Sequence, residues 1–189
     1  EHIDEIVACA NETLMQNGLI VYSSKYGSAK KYAEWLSEDT GYACRDISEV
    51  RAADIKGTLI FCGAIYASGI SGLPRLKKLI SAHEGKAAVL CVGASPFDAE
   101  AFEKLKERNM SGKLTDIPVF YARGAWDESK MSFTDRTMCK LLIKSLQKQD
   151  PNTYEPWMKA LAEAAGKKCD WTDRKYLTPL LDALGKQAE

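Results

Sequence analysis

The chain has 189 residues, a length that suits one domain with a substantial hydrophobic core. Lysine plus arginine and aspartate plus glutamate number 26 each, so the formal net charge is zero. This balance argues against a global field that would gather nucleic acid or an anionic membrane. No apolar stretch approaches the roughly 20 residues of a membrane-spanning helix. We therefore expect a cytoplasmic protein with no transmembrane segment and no nucleic-acid partner.

The six cysteines lie far apart, without a C-x-x-C pair or a nearby histidine, so their spacing predicts no metal site. Cys62 and Cys91 lie within apolar runs, where a free thiol behaves as a small buried hydrophobe. Such usage is typical of reduced thiols inside the cell. Neither His2 nor His83 lies in a serine, cysteine or carboxylate arrangement that would suggest a nucleophile and a base, and no catalytic residue is predicted.

The first 17 residues are predicted to be an extension, and residues 18–189 to be one domain with a helical C-terminal tail. From Gly18 onward, apolar runs rich in β-favouring residues alternate with segments of helical spacing. In chain order, the predicted strands are 19–22, 42–47, 58–64, 87–93 and 117–121. The predicted helices are 29–38, 73–83, 98–109, 134–149 and one near 178–184.

This alternation predicts an α/β fold, with a five-stranded parallel sheet between two layers of helices. The runs 58–64 and 87–93 are continuous and apolar, as expected of strands covered on both faces. The helix 134–149 carries apolar residues at helical spacing and is predicted to cover the sheet. Ligands of such sheets bind at the carboxyl ends of the strands. The loops near residues 24, 64, 93 and 123 are therefore the predicted site.

The loop after the first strand has the composition of a phosphate-binding turn. Residues 23–28 read SSKYGS and lead directly into a helix. A tight turn here aims backbone N–H groups and the positive end of the helix at one point, which suits a phosphate. The hydroxyls of Ser24 and Ser28 can add donors. Because the Walker and dinucleotide glycine patterns are both absent, nucleoside triphosphate and nicotinamide ligands are disfavoured.

An apolar strand followed by hydroxyl residues, a glycine and a helix start resembles the phosphate loop of the flavodoxin family. The similar residues run from Ile20 through Ser24 and Gly27 to Leu36. Where the family usually has a threonine that bonds the phosphate, this chain has Ala29, and Ser28 is expected to supply the hydroxyl. The resemblance implies a flavodoxin-like three-layer sandwich that binds flavin mononucleotide (FMN) and serves electron transfer or oxidoreduction.

The resemblance also implies which residues contact the flavin. These are Ser24, Lys25, Tyr26, Gly27, Ser28 and Ala29 in the first loop, Ala64, Ile65, Tyr66 and Ala67 in the second, and Gly93, Ala94 and Ser95 in the third. Tyr66 either stacks on the flavin ring or only packs its own loop, and Trp126 is a second aromatic candidate. Arg123 either neutralises an anion of the ligand or is a solvated surface arginine.

Short segments are similar to the flavodoxin-type protoporphyrinogen oxidases, which deliver electrons to menaquinone, and to unassigned relatives of them. They are residues 63–69 (GAIYASG), residues 121–124 (YARG), Thr134-Asp135-Arg136 and Asp170-Trp171. Three hypotheses follow: an FMN-binding redox protein, an oxidase of that type that passes electrons to a quinone, and a cofactor-free binding domain, for which Ala29 is the main argument. The expected partners are a flavin and an unknown redox partner or small-molecule substrate, and a homodimer is left open.

Overall fold

The computed structural model of the protein describes residues 17–185. The predicted extension therefore lies outside the described residues except for Asn17, as do the last four residues of the predicted tail. The strands are β1 (Gly18–Ser23), β2 (Ala43–Asp46), β3 (Thr58–Tyr66), β4 (Gly69–Ile70), β5 (Ala87–Gly93), β6 (Val119–Arg123), β7 (Ala125–Asp127) and β8 (Lys168–Asp170). The α-helices are α1 (Ser28–Thr40), α2 (Leu73–Ser81), α3 (Ala99–Asn109), α4 (Phe133–Leu146), α5 (Pro156–Ala164) and α6 (Thr178–Ala183).

Five parallel strands form the central sheet in the order β2-β1-β3-β5-β6, which confirms the predicted five-stranded α/β fold. From β1 the chain passes to β2, which lies on one side of β1, and then to β3, which lies on its other side. The winding direction thus reverses between β1 and β3, where ligands of such sheets bind. Within residues 17–185, no helix has the length and apolar character needed to cross a bilayer.

Successive residues of the strands face opposite core layers, because side chains alternate along a strand. One layer packs against α2, with Leu59, Phe61 and Val89 from the sheet. The other packs against α1 and the segment 174–184. Cys91 lies in the first layer and Cys62 in the second. Burial raises the pKa of the Cys91 thiol to about 12 and that of Cys62 well above its usual value, so both stay protonated thiols.

One helix begins near its predicted start, and one strand is shifted from its predicted range. Asp98 caps α3, and its carboxylate accepts a hydrogen bond from the Ala101 N–H at 2.8 Å. The strand predicted at 117–121 lies instead at Val119–Arg123. Pro118 has no N–H to donate to a ladder, and only its carbonyl pairs, accepting from the Val89 N–H at 2.9 Å.

The prediction that residues 134–149 cover the sheet is wrong. The helix exists as α4, but Met138, Leu141 and Leu142 are exposed, and Asp135 and Leu146 are its buried residues. The layer beside α1 is packed instead by Leu177, Leu180 and Leu181. The reason is connectivity: after β6 the chain turns into β7 and carries α4 to the carboxyl edge of the sheet rather than across its face.

The C-terminal tail is part of the folded core and contains a strand as well as helices. In it, β8 pairs antiparallel with β7, and Trp126 lies opposite Cys169. The segment after β8 is tied to α1, because Lys31 Nζ lies 3.0 Å from Asp170 Oδ2 and donates to Thr172 Oγ1 at 2.7 Å. Residues 168–184 therefore hold α1 in place as well as closing the core.

A hairpin that the sequence did not predict joins β3 to β4. Its two turn residues, Ala67 and Ser68, both have positive φ, 48° and 66°. This is the geometry of a two-residue turn that usually contains asparagine and glycine. The side-chain amide of Asn109 donates to the Ser68 carbonyl at 3.1 Å and thereby fixes the turn to α3.

Candidate functional site at the carboxyl edge of the sheet

The loop after β1 folds as the predicted tight turn. Gly27 has a φ of 98°, which favours glycine, and its N–H donates to Ser24 Oγ at 3.0 Å. The first helical hydrogen bond of α1 runs from the Lys31 N–H to the Gly27 carbonyl at 2.9 Å. The N–H groups of residues 28–30 precede that bond and point out of the helix start, as in anion-binding loops.

Two neighbouring residues of this loop differ in what they face. Ser28 Oγ accepts a hydrogen bond from the Ala125 N–H at 3.1 Å, which leaves the hydroxyl proton to donate elsewhere. Ala29 is fully buried in the α1 core layer, together with Ile20 and Leu36. The methyl group of Ala29 therefore packs the core instead of lining the turn.

Side chains from two loops converge on one carboxylate, that of Asp135 in the first turn of α4. Lys25 Nζ lies 2.6 Å from Asp135 Oδ2, and the Tyr66 hydroxyl donates to Oδ1 at 2.6 Å. The Tyr26 hydroxyl also donates to this carboxylate. The Lys25 ammonium lies over the Tyr66 ring, 4.4 Å from its centroid. Asp135 therefore joins the loops after β1 and β3 to α4.

These bonds fix the charges of the cluster. The hydrogen bonds from Lys25, then those from Tyr26 and Tyr66, hold the pKa of Asp135 well below its usual range. The hydrogen bond to Asp135 also raises the pKa of Lys25 and that of Tyr66. At neutral pH the cluster thus contains the Asp135 carboxylate, the Lys25 ammonium and a neutral Tyr66.

The start of α4 shows that the Asp135 carboxylate is turned away from its own helix. Ser132 caps the helix, and its hydroxyl accepts from the Asp135 N–H at 3.2 Å. In a capping box, the acidic residue would bond the N–H of the cap residue in return. Here the Ser132 N–H donates to the Tyr26 hydroxyl at 3.4 Å instead. The Asp135 carboxylate thus binds side chains of the loops after β1 and β3 instead of the start of its own helix.

A cleft of about 1200 Å³ opens beside the loops after β3 and β5. This is larger than the roughly 300–1000 Å³ of an ordinary small-molecule pocket. Its aromatic and aliphatic lining comes from the loop after β5, α3, β6, β7, the α4–α5 pair and the segment after β8: Phe97, Phe102, Tyr121, Trp126, Leu142, Trp157 and Trp171. Such a cleft suits a flat, largely apolar ligand.

One polar atom in the cleft wall has no partner. The indole Nε1 of Trp126 is buried and makes no hydrogen bond within the described chain. A buried donor that stays unpaired is costly, because it has lost its water and gained nothing in exchange. Because this atom is buried, the Trp126 side chain would have to turn for an acceptor of a ligand in the cleft to pair with it.

Two side chains of β6 hold the loop after β5. Arg123 Nε donates to the Ala94 carbonyl at 3.0 Å, and its guanidinium lies 4.0 Å from the centroid of the Trp171 ring. The Tyr121 hydroxyl donates to the Ser95 carbonyl, and burial raises the pKa of this tyrosine. Arg123 thus braces the loop after β5 and stacks on Trp171, and its role toward an anion of the ligand stays a prediction.

The structure divides the predicted site residues into groups. Those that line the cleft are Ile65, Ala67, Gly93, Ala94 and Ser95. Lys25, Tyr26 and Tyr66 gather at Asp135, and Tyr66 is not part of the cleft wall. Those that shape the first turn are Ser24, Gly27 and Ser28. Ala29 packs the core, and Ala64 is half-buried at the end of β3.

Sequence reasoning assigned no role to Asp135 or Trp171, although both lie in segments it singled out as similar to known oxidases. Those segments were the signal, but the partners of Asp135 lie 69 and 109 residues away in the chain. Within residues 17–185, no group of three or more histidine, cysteine, aspartate or glutamate side chains is placed to hold a metal ion.

The parallel sheet with the strand order β2-β1-β3-β5-β6, and the tight turn that follows β1, define a flavodoxin-like fold. The family model of the flavodoxin domain matches residues 19–153, more than half of the chain. The chain therefore belongs to the flavodoxin domain family, whose members generally bind flavin. Among solved structures, the chain is similar to the Trp repressor binding protein from Bacillus subtilis, with 16% identity and a TM-score of 0.40 over 56% of this chain and 81% of that one. No curated protein matches it.

Proposed function

We propose that this chain is an FMN-binding redox protein that serves electron transfer or oxidoreduction. The observation that supports this best is the cleft of about 1200 Å³ at the carboxyl edge, whose wall includes Trp126, a residue with a buried and unpaired indole N–H. The cleft lies beside loops of the same edge that carries the tight turn at Gly27. Together they offer a place for a flat ring and a place for a phosphate.

The residues present fit such a ligand. The phosphate would be held by the backbone N–H groups at the start of α1 and by the hydroxyls of Ser24 and Ser28. The ring would lie among Ile65, Ala67 and residues 93–95, where Trp126 supplies a donor. When bound, the flavin supplies the redox chemistry itself, accepting and releasing electrons. The protein supplies the position and a wall of aromatic side chains that keeps water out.

The test is an ultraviolet–visible spectrum of the purified full chain before and after FMN is added and the sample desalted. Retained bands of oxidised flavin support the proposal. Gly27→Val should lose this retention, because valine at a φ of 98° is strained and the turn would change. Gly112→Val is the matched control: Gly112 also has a positive φ and open space around it, but it lies far from the site. No binding by the wild-type chain would contradict the proposal.

A narrower form of the proposal is an oxidase of the protoporphyrinogen type that passes electrons to a quinone. The size of the cleft favours it, because 1200 Å³ leaves room beside a flavin ring for a second apolar molecule. Phe102 and Trp157 would form the wall of that second space. Oxidation of a porphyrinogen with menaquinone as acceptor would support the narrower form. A protein that binds flavin but lacks this activity would support the function of an electron carrier instead.

One observation favours the cofactor-free alternative. The Asp135 carboxylate takes up the ammonium of Lys25 and the hydroxyls of Tyr26 and Tyr66, which belong to loops that a flavin would use. A flavodoxin fold that binds another small molecule, and no flavin, would show this arrangement too. The spectrum decides between them, since this alternative requires a colourless protein that gains no bound flavin.

We also propose that residues 18–189 act as one unit in the cytoplasm, with a redox partner or a small molecule as substrate. The supporting observation is that the C-terminal segment completes the cleft as well as the core. Trp157 and Trp171 line the cleft, and Leu180 and Leu181 are buried under the sheet.

A further inference from the structure

One wall of the cleft lies outside the residues that are predicted to contact a flavin. It consists of residues 97–108, which include α3, and of the start of α5. We call it the α3–α5 wall, and its aromatic and charged members are Phe97, Asp98, Glu100, Phe102, Lys104, Glu107, Arg108, Glu155 and Trp157. Because a flavin is not expected to contact them, these side chains are available to a second molecule.

The aromatic side chains of the α3–α5 wall are open to the cleft. Phe97 is 57% exposed and Trp157 is 41% exposed, although both are large and apolar. The Phe97 ring contacts the rings of Phe102 and Tyr121 at centroid distances of 5.6 and 5.8 Å. The ammonium of Lys106 lies 5.2 Å from the centroid of the Phe102 ring, so this aromatic group already attracts one cation of the protein. The wall therefore suits a flat ligand, and its charge decides which kind.

The α3–α5 wall carries an excess of negative charge. Four carboxylates line it against two cations, and no other charged side chain of residues 17–185 lines the cleft. The Lys104 ammonium is already paired, since it lies 2.6 Å from Glu100 Oε1. Glu107 and Glu155 are exposed and make no ion pair with the described residues. A ligand of the wall thus meets more carboxylates than cations.

The carboxylates of α3 and of the start of α5 act on the same space. The hydrogen bond to Glu100 raises the pKa of Lys104, and the charges of Glu155 and Asp98 raise it further. Carboxylates from both elements therefore lie within electrostatic range of one ammonium. The Trp157 indole N–H also donates to Glu155 Oε2 at 2.8 Å, which holds a carboxylate beside an exposed ring. A ring and a carboxylate side by side attract the same class of ligand.

We propose that the α3–α5 wall binds a small organic cation with a flat, largely apolar body, such as a protonated aromatic amine or an N-alkyl pyridinium. The rings contact the apolar body and attract its positive charge, as in the aromatic sites that bind quaternary ammonium groups. The carboxylates of Glu107 and Glu155 balance the charge of the ligand. Because the wall is partly open to water, each of these attractions is modest and they act together.

The same charges disfavour a ligand that bears carboxylates. A porphyrinogen with acidic side chains would bring negative charge next to Glu107 and Glu155, and like charges at short range oppose such a contact. Binding of a cation therefore goes beyond the proposed flavin function and counts against its narrower, porphyrinogen form. It does not depend on a bound flavin, because no residue of the α3–α5 wall is predicted to contact one.

The experiment is equilibrium dialysis of the full chain, without added flavin, against three bicyclic aromatic probes of similar size. The probes are the cation N-methylquinolinium, the neutral 1-methylnaphthalene and the anion 1-naphthoate. We expect the cation to bind about tenfold more tightly than the neutral probe, and the anion to bind most weakly. Added salt should weaken binding of the cation and leave binding of the neutral probe nearly unchanged.

Glu107→Gln/Glu155→Gln should remove most of the preference for the cation, since each glutamine keeps the size and an acceptor oxygen but loses the charge. Glu84→Gln/Glu163→Gln makes the same change in net charge at exposed positions that do not line the cleft, and it is the control. Trp157→Leu should weaken binding of the cation more than that of the neutral probe, because apolar contact remains while the ring is lost. All of these positions are exposed, so the fold is expected to persist in each variant, as circular dichroism would verify.

Equal binding of the cation and the neutral probe, tighter binding of the anion, or no binding of any probe would overturn the proposal. So would a preference for the cation that Glu107→Gln/Glu155→Gln keeps in full. Retention of FMN is measured separately by its spectrum, so failure of the cation site and failure of the flavin function are distinguishable.

Discussion

Among single side chains, Asp135 has the contacts that bear most directly on ligand binding. Its carboxylate engages Lys25, the one cation in the turn at residues 24–28. An incoming phosphate would therefore meet a negative charge of the protein and a lysine that is already paired. Like charges at short range disfavour each other, and the effect grows where water is scarce. Asp135 is expected to set the affinity of the site for phosphate in particular.

We predict that Asp135→Asn tightens binding of FMN several-fold and leaves binding of riboflavin, which lacks the phosphate, nearly unchanged. The amide removes the negative charge and releases Lys25 for the ligand. Fluorescence titration with both flavins measures the effect. Asp116→Asn, at an exposed position far from the loops, is the control. Equal changes for both flavins would show that Asp135 only holds the structure together.

The indole of Trp126 gives a second prediction at this scale. Trp126→Phe should weaken FMN binding about tenfold, since about 1.4 kcal/mol is a typical value for one buried hydrogen bond. Without flavin, Trp126→Phe should lower the free energy of unfolding less than its smaller side chain alone would predict. The reason is that the variant also removes an unpaired donor. Trp35→Phe on α1, outside the cleft, is the control for loss of an indole. Unchanged FMN affinity in Trp126→Phe would show that the Trp126 indole N–H does not bind the flavin.

Sequence alone predicted the turn at residues 23–28 because its chemistry is local: a glycine, hydroxyls and a helix start lie within six residues. It did not predict the Asp135 cluster, whose members come together only in the folded chain. The expectation that Tyr66 stacks on a flavin ring stays a prediction. The structure places its hydroxyl on Asp135 and its ring under Lys25.

At the scale of elements, burial decides which predictions succeed. The strands β3 and β5 were predicted because they are covered on both faces and read as continuous apolar runs. The short β4, β7 and β8 have two or three residues each and leave no periodic pattern. Helical spacing located α4, but spacing reveals the apolar side of a helix and not what that side contacts. Its exposure could therefore not be predicted.

The hairpin between β3 and β4 gives a prediction about stability. Ala67 has a φ of 48°, a conformation that costs a residue with a Cβ about 1 kcal/mol and that asparagine tolerates better. We expect Ala67→Asn to raise the free energy of unfolding by up to about 1 kcal/mol. Urea unfolding measures this. Ala53→Asn, at an exposed position whose φ is not positive, should show no gain, and a gain there too would point to another cause.

At the scale of the whole molecule, the domain is longer than its family match. The match ends at residue 153, whereas Leu177, Leu180 and Leu181 are fully buried beyond it. Removing one buried leucine side chain typically costs about 2–5 kcal/mol, against a total stability of about 5–15 kcal/mol. A chain that ends at residue 153 should therefore lose cooperative thermal unfolding, as seen by circular dichroism. A chain that ends at residue 185 is the control and should unfold as the full chain does.

The stability of the folded protein should also depend on pH, because of Asp135. Its pKa is lowered in the folded state, so its carboxylate contributes fully above about pH 4, the ordinary aspartate value, and progressively less as the pH falls below it. Asp135→Asn should therefore be less stable than wild type near about pH 7, with the difference shrinking toward about pH 3. Urea unfolding at several pH values measures this difference. A difference that stays constant with pH would assign the effect to packing rather than charge.

A balanced total charge gave no hint of the exposed lysines on α4. The sum of 26 positive and 26 negative residues excludes a strong global field, and it says nothing about where the charges lie. In the folded chain, Lys140 and Lys144 of α4 make no ion pair with the described residues. Local separation of charge, and not net charge, decides which surfaces such a protein can recognise.

The segment 174–184 has a consequence for synthesis on the ribosome. It covers the sheet face that holds Ile60 and Leu90, yet it is translated after all the strands. From Arg123 at the end of the sheet to Leu181, 58 residues must still be made, which takes about 3–12 s at roughly 5–20 residues per second. During that interval one apolar face of the nascent sheet is covered by α1 alone. The growing chain is therefore expected to be a client of ribosome-associated chaperones until this segment emerges.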